Sequence, residues 1–207
     1  MLTLLLCFVC LLTGRTDSHP IATPPSARAL SPGALFPRSE LADIHPGDII
    51  LRKGNTFLSD MIARAFPQGQ DLSHCGIIVD TPRGLSVIHT ISGRISDRDG
   101  IRLTPLLEFV SEAQDLRVKI IRPKENVNKD KLCAAAFRCL QARIPFDHEF
   151  RLDDDKALYC SELVRKVMLE AGSPDIFRYK TFGSTPVIDM ASFADTSAFL
   201  LVLPTQR

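Results

Sequence analysis

Residues 73–91 read Ser73-His74-Cys75-Gly76-Ile77-Ile78-Val79-Asp80-Thr81-Pro82-Arg83-Gly84-Leu85-Ser86-Val87-Ile88-His89-Thr90-Ile91. Two apolar, β-branched runs, His74–Asp80 and Leu85–Ile91, flank Thr81-Pro82-Arg83-Gly84, a turn sequence with Pro second and Gly fourth. The stretch predicts an antiparallel hairpin. Upstream, Pro46-Gly47 introduces a short strand, Asp48–Arg52. Phe57–Phe66 has apolar residues at helical spacing until Pro67 and Gly69 stop it. Downstream, Leu116–Arg122 reads as a strand and Val127–Ala142 as a helix. A second helix, Tyr159–Ala171, is closed by Gly172 and Pro174, and Phe199–Leu203 reads as the last strand. Helices flanking mainly antiparallel strands make the class α+β. There is no internal repeat.

The chain has 207 residues, 45% of them hydrophobic, which suits one globular domain with its own core. Its 25 Lys+Arg against 24 Asp+Glu leave no net field to recruit nucleic acid or anionic lipid, so no nucleic-acid partner is expected. Leu2–Leu12 is an uncharged apolar run too short to span a bilayer comfortably, followed by a Pro/Ser/Ala-rich stretch from Ser18 to Pro37. This order divides the chain into a signal peptide (1–18), a flexible lead-in (19–44) and one domain (45–207), exported to a periplasm or secreted. No Lys or Arg precedes the apolar run, so an uncleaved membrane anchor is the competing reading.

Beyond that segment lie Cys75, Cys133, Cys139 and Cys160. Cys133 and Cys139 are separated by about 9 Å of helical rise, too far for a bridge within the helix. No Cys or His pair has zinc-site spacing, so no metal or other cofactor is expected.

Cys160 follows a polar loop, Arg151–Lys156, and opens an amphipathic helix. In a first helical turn the backbone dipole favours thiolate over thiol. If Asp155 were the N-cap instead, Cys160 would fall in the second turn and gain little. A cysteine entering a helix also has a plain reading, as a small buried hydrophobe. His74 opens its strand, with Gly76 leaving room on the same face, while Cys75 points to the opposite face and reads as packing. His89 is the polar residue on the face shared with Leu85, Val87 and Ile91 and needs a partner. An even-length turn puts His74 and His89 on one face, whereas a three-residue loop with a bulge at Gly84 puts them on opposite faces. Both registers stay open. Asp48, Asp147 and Asp153–Asp155 read as turn and loop formers, and Glu162 suits the first helical turn.

Taken in order, Gly47-Asp48-Ile49-Ile50, Ser73-His74-Cys75-Gly76-Ile77-Ile78, Val87-Ile88-His89-Thr90, Pro145-Phe146-Asp147 and Tyr159-Cys160-Ser161-Glu162-Leu163-Val164 resemble the permuted, YiiX-type branch of the NlpC-like cysteine hydrolases. The resemblance spans about Pro46 to Ala171. It implies a circularly permuted papain-like fold, a mainly antiparallel sheet or half-barrel flanked by helices, with histidine before cysteine in sequence. It further implies Cys160 as nucleophile, His74 as general base and His89 as the orienting third residue. Relatives often carry Glu or another polar residue at that third position; histidine can hydrogen-bond the base but, unlike Glu, brings no fixed negative charge. The Cys160 backbone N–H is the expected oxyanion donor. Tyr159 is either a substrate-facing phenol or an aromatic packed at the helix end.

The implied reaction is hydrolysis of an amide, peptide or related acyl bond through an acyl-enzyme on Cys160. Cell-wall peptide and lipid-linked amide are the candidate substrates. The alternatives are an acyltransferase or lipid esterase using the same Cys-His pair, and a non-catalytic binding module on the same fold.

Overall fold

The computed structural model of the protein describes residues 41–54, 71–93, 99–124, 127–182 and 184–204. The expected signal peptide, most of the lead-in and the helix expected over Phe57–Phe66 lie outside the described residues.

Five early strands are β1 (Ile49–Arg52), β2 (His74–Val79), β3 (Ser86–Ile91), β4 (Gly100–Pro105) and β5 (Val118–Pro123). Between β4 and β5 runs a short helix, α1 (Leu106–Ser111), and α2 (Lys129–Gln141) and α3 (Cys160–Glu170) follow β5. The chain ends with the β6 (Tyr179–Phe182) and β7 (Thr185–Ile188) pair and then β8 (Phe199–Leu203). Six strands form one open antiparallel sheet in the order β4-β3-β2-β1-β5-β8. The fold is α+β, and the expected hairpin is present as β2 and β3.

Among the described residues, β4, α1, β6 and β7 escape the sequence reading, as do two 3-10 turns, Gln114–Leu116 and Met190–Ala194. Element ends also move inward, because Leu116 belongs to a 3-10 turn and Val127 precedes the Asn128 cap. Asn128 Oδ1 accepts the Lys131 N–H at 2.9 Å, which fixes where α2 starts. At the other end of α3, Gly172 adopts φ +96 and lets the Ser173 N–H reach the Met168 carbonyl at 3.0 Å.

Period-two alternation assigns each strand residue a face. Ile49, Leu51, Cys75, Ile77, Val79 and Ile88 face α2 and α3, where Leu132, Ala136, Leu163 and Val167 cover them. Ile50, Ile78, Val87 and Ile120 face the opposite way and are covered by Leu106, Phe109 and Val110 of α1. Full burial of each such aliphatic side chain contributes about 1.5–3 kcal/mol. Strand β8 forms one edge of the sheet.

The β2–β3 register resolves the open choice. Ile77 pairs with Ile88, Ile78 with Val87 and Val79 with Ser86, which places Gly76 opposite His89. A Cβ on Gly76 would lie 2.5 Å from Val87 Cγ1 and 2.9 Å from His89 Cβ. Glycine is therefore what lets the second histidine close on the strand that carries the first, and His74 and His89 share a face.

Candidate active site

Helix α3 starts at Cys160, with Tyr159 in the extended N-cap position (φ −91, ψ 172). The Tyr159 N–H is taken by Glu162 Oε2 at 3.3 Å. Asp155 does not cap the helix; its carboxylate holds Lys166 Nζ at 2.8 Å. Cys160 thus occupies the first turn, where backbone N–H groups lack intrahelical acceptors and the dipole favours an anion.

His74 is the first residue of β2, so base and thiol meet where both elements begin. His74 Nε2 lies 2.9 Å from His89 Nδ1, which leaves Nδ1 as the ring nitrogen free to serve Cys160, whose presence raises the His74 pKa. His89 is fully buried, and its Nε2 lies 2.9 Å from Thr104 Oγ1, with Arg102 Nε–H donating to it at 3.4 Å. A chain of contacts therefore runs from Cys160 through two imidazoles to β4.

Phe109 packs this chain from below. It stacks on His74 (centroids 5.6 Å, 25°) and meets His89 edge-on (5.0 Å, 80°). Arg52, paired in register with His74, places its guanidinium 4.2 Å from the same ring. Arg52 Nη1 also donates to the Phe109 carbonyl and to Glu112 Oε2, both at 2.7 Å. Its Nε has no hydrogen-bond partner among the described residues.

These surroundings set the protonation states. The Cys160 thiol lies well below the ordinary thiol range, first through the hydrogen bond from the Cys75 thiol, then through His74 and the Cys75 backbone N–H, against the opposing effect of burial. Burial pushes Cys75 well up, and its bond to Cys160 adds to that, so it stays a protonated donor. The pKa of His74 falls through burial, with Arg52 adding to the fall and Cys160 opposing it. His89 falls further, through burial and then the positive fields of His74, Arg52 and Arg102, and is neutral at physiological pH.

The two remaining described cysteines differ in the opposite sense: burial pushes Cys133 up to about 11 and also raises Cys139. All four described cysteines are free.

The structure brings Cys160, His74 and His89 together. Cys75 packs in the core as expected, and it also lowers the Cys160 thiol pKa. Although its face is the one expected, a strand-start cysteine beside the helix that carries Cys160 had no sequence signal of its own. Tyr159 takes the packing alternative: its hydroxyl accepts the Ile188 N–H at 3.1 Å and its ring tilts against Phe150. Its substrate-facing alternative is corrected accordingly, since the phenol oxygen is turned to β7.

The aspartates behave as loop formers. Asp48 caps the His45 N–H and pairs with Arg122 at 2.7 Å, and Asp147 accepts from the Glu149 and Arg151 N–H groups. Sequence reasoning missed Arg52, Phe109, Arg102, Thr104 and Glu112. The one available signal was Arg52, a charge closing the apolar run Ile49–Leu51. Among the described residues no group of three or more His, Cys, Asp or Glu side chains is arranged to hold a metal ion. No helix among them is long and apolar enough to cross a membrane.

Comparison with known proteins places the chain in a family. Residues 43–205 match the family model of permuted papain-like amidase enzymes, YaeF/YiiX, of the C92 peptidase family. A similar solved structure is that described as the metalloprotein YiiX from Escherichia coli O157:H7. It is 20% identical with a TM-score of 0.66, over 78% of this chain and 98% of that one. At that identity the likeness is one of fold. No curated protein matches the chain.

Proposed function

Because the chain belongs to the permuted papain-like amidase family, a family of cysteine hydrolases, we propose that it cleaves an amide or peptide bond with Cys160 as nucleophile and His74 as general base and acid. The observation that carries this reading is the position of Cys160 as the first residue of α3, beside His74 at the start of β2, where the helix start and its neighbours lower the thiol pKa.

In this reading the thiolate attacks the substrate carbonyl carbon, and the first-turn N–H of Cys160 stabilises the oxyanion. His74, an imidazolium once it has taken the proton of the Cys160 thiol, passes that Nδ1 proton to the leaving amine as the C–N bond breaks. The neutral imidazole then takes a proton from water, whose oxygen attacks the thioester and releases the acid and the free thiol. His89 keeps the His74 ring in plane through the 2.9 Å bond.

Export through the Leu2–Leu12 segment would bring the enzyme to peptide substrates of the cell wall, and such a peptide amide is the substrate class proposed. The test is site-resolved mass spectrometry of the native protein after brief iodoacetamide treatment at mildly acid pH. Cys160 should be alkylated far ahead of Cys75, Cys133 and Cys139. Equal labelling of all four, or labelling only after denaturation, would sink the proposal.

A further inference from the structure

At the far end of the contact chain one ring nitrogen is contested. His89 Nε2 lies 2.9 Å from Thr104 Oγ1 and 3.4 Å from Arg102 Nε. A hydroxyl can accept or donate a hydrogen bond, whereas a guanidinium only donates. The β3–β4 register pairs Arg102 with His89 and Thr104 with Val87, so both side chains share the His89 face. His89 and Thr104 are both buried, which takes bulk water away as an alternative partner.

The order of protons follows from what His74 has to do. As a general base it needs a bare Nδ1 towards Cys160, so its own proton stands on Nε2 and points at His89 Nδ1, 2.9 Å away. His89 Nδ1 must then be bare, and the single ring proton of neutral His89 stands on Nε2. That Nε2–H needs an acceptor, and of its two neighbours only Thr104 can be one.

We propose that Thr104 is a positioning residue for the catalytic pair: its Oγ1 accepts the His89 Nε2–H and so keeps His89 Nδ1 bare to receive the His74 Nε2–H. This rests on the Cys160–His74 reading of the site. The order is the same in both charge states of His74. Nδ1 gains the thiol proton and later gives it up, while Nε2 stays protonated and the two bonds beyond it keep their direction. Nothing beyond His74 has to reorganise during the cycle.

Arg102 favours the reverse order. Its Nε–H suits a bare His89 Nε2, which puts the His89 proton on Nδ1 and directs it at His74 Nε2. Neutral His74 would then carry its proton on Nδ1, towards Cys160, and could not act as base. The Arg102 contact at 3.4 Å is at the long end of hydrogen-bond range, whereas Thr104 at 2.9 Å is near its centre. The other groups around the two rings shift charge without choosing an order. Arg52 on β1 lowers the proton affinity of His74, while Cys160 on α3 and Glu112 raise it. Glu112 is held by Arg52 at 2.7 Å and lies 3.9 Å from Arg102. Phe109 is uncharged.

Thr104→Val keeps the shape and removes the acceptor, whereas Thr104→Ser keeps the acceptor. The experiment makes two measurements on wild type and both variants. Long-range proton–nitrogen NMR of histidine-labelled protein reads the His89 tautomer, and iodoacetamide at mildly acid pH reads the alkylation rate of Cys160. In wild type His89 should be protonated on Nε2 and bare on Nδ1. In Thr104→Val the proton should move to Nδ1, leaving Arg102 as the partner of Nε2. Alkylation of Cys160 per folded molecule should then slow about tenfold, because the imidazolium that supports the thiolate has lost its outer bond. Thr104→Ser should stay within about threefold of wild type.

A wild-type His89 protonated on Nδ1 overturns the proposal, and that measurement needs no variant to fold. So does a Thr104→Val protein alkylated as fast as wild type. A Thr104→Ser protein as slow as Thr104→Val overturns it too, by assigning the effect to packing. Fast alkylation of wild-type Cys160 beside the wrong His89 tautomer sinks this proposal alone, whereas slow alkylation of wild-type Cys160 sinks the reading beneath it.

Discussion

Two ends of one sheet face can be compared directly. At one end Ile50, Ile78 and Val87 pack under α1 against Leu106 and Val110. Two residues further along β1 and β3 the same face carries Arg52 and His89, and at the start of β2 it carries His74, all around Phe109. The backbone and the covering helix are shared. Only the side chains change, from groups that gain by leaving water to groups that lose by it. The polar end is tolerated because nearly every buried donor and acceptor is matched: His74 to His89, His89 to Thr104, Arg52 to Glu112 and to a carbonyl. One end of the face thus supplies stability, and the other spends some of it on proton transfer.

The comparison breaks most sharply at the histidines. His74→Ala should lower turnover by about 10²–10⁴-fold per folded molecule, because proton transfer is lost in every cycle. His89→Ala should leave a measurable remainder, since that residue acts through the ring it orients. If His89→Ala were the dead variant and His74→Ala active, the roles would be reversed.

At the apolar end the opposite pattern is expected. Ile78→Ala should cost about 2–5 kcal/mol of unfolding free energy with kcat per folded molecule retained. A variant equally stable to wild type would show that this end is not the supporting half.

Gly76→Ala sharpens the boundary between the two ends, because the added methyl meets Val87 on one side and His89 on the other. It should cost about 1–3 kcal/mol and also lower activity, as measured by urea titration and turnover on one preparation. Loss of stability alone would mean that the His89 ring adjusts without effect.

A further effect concerns pH. Burial pushes the Glu162 carboxyl up to about 8. Its folded pKa exceeds its unfolded one, so its contribution is full below the ordinary carboxylate range and is lost as pH climbs through about 8. Urea midpoints of wild type should fall relative to Glu162→Gln over that window, and parallel curves would remove Glu162 from the account.

Much of this was legible in the sequence. The Thr81–Gly84 turn and two β-branched runs specify the hairpin, and Tyr159-Cys160 marks a helix start after a polar loop. Strand β4 was not legible, for a physical reason. Its alternation is inverted: Thr104 is 3% exposed and faces His89, while Leu103 is 40% exposed. A reading by hydropathy turns that strand over and sends Arg102 to solvent. The second half of the site is therefore invisible until the β3–β4 register is known. Helix α1 is short and starts after Pro105, so it offers too few turns for a period to emerge. Register, too, depends on the pairing of whole strands and left the two histidines undecided until Gly76 was seen against His89.

His74 and Cys160 lie far apart along the chain, on the first residues of β2 and α3, and this has a kinetic corollary. Contacts of large sequence separation form late, after the loop-closure entropy between them has been overcome. A nascent or partly folded chain therefore carries six ordinary thiols, and none of them is acidic. The nucleophile comes into being only when α3 docks against the β2 end of the sheet, after most of the polypeptide has been synthesised. One sulfur then serves as a clock for folding: the time course of its acid-side alkylation during refolding dates the closure of the whole domain.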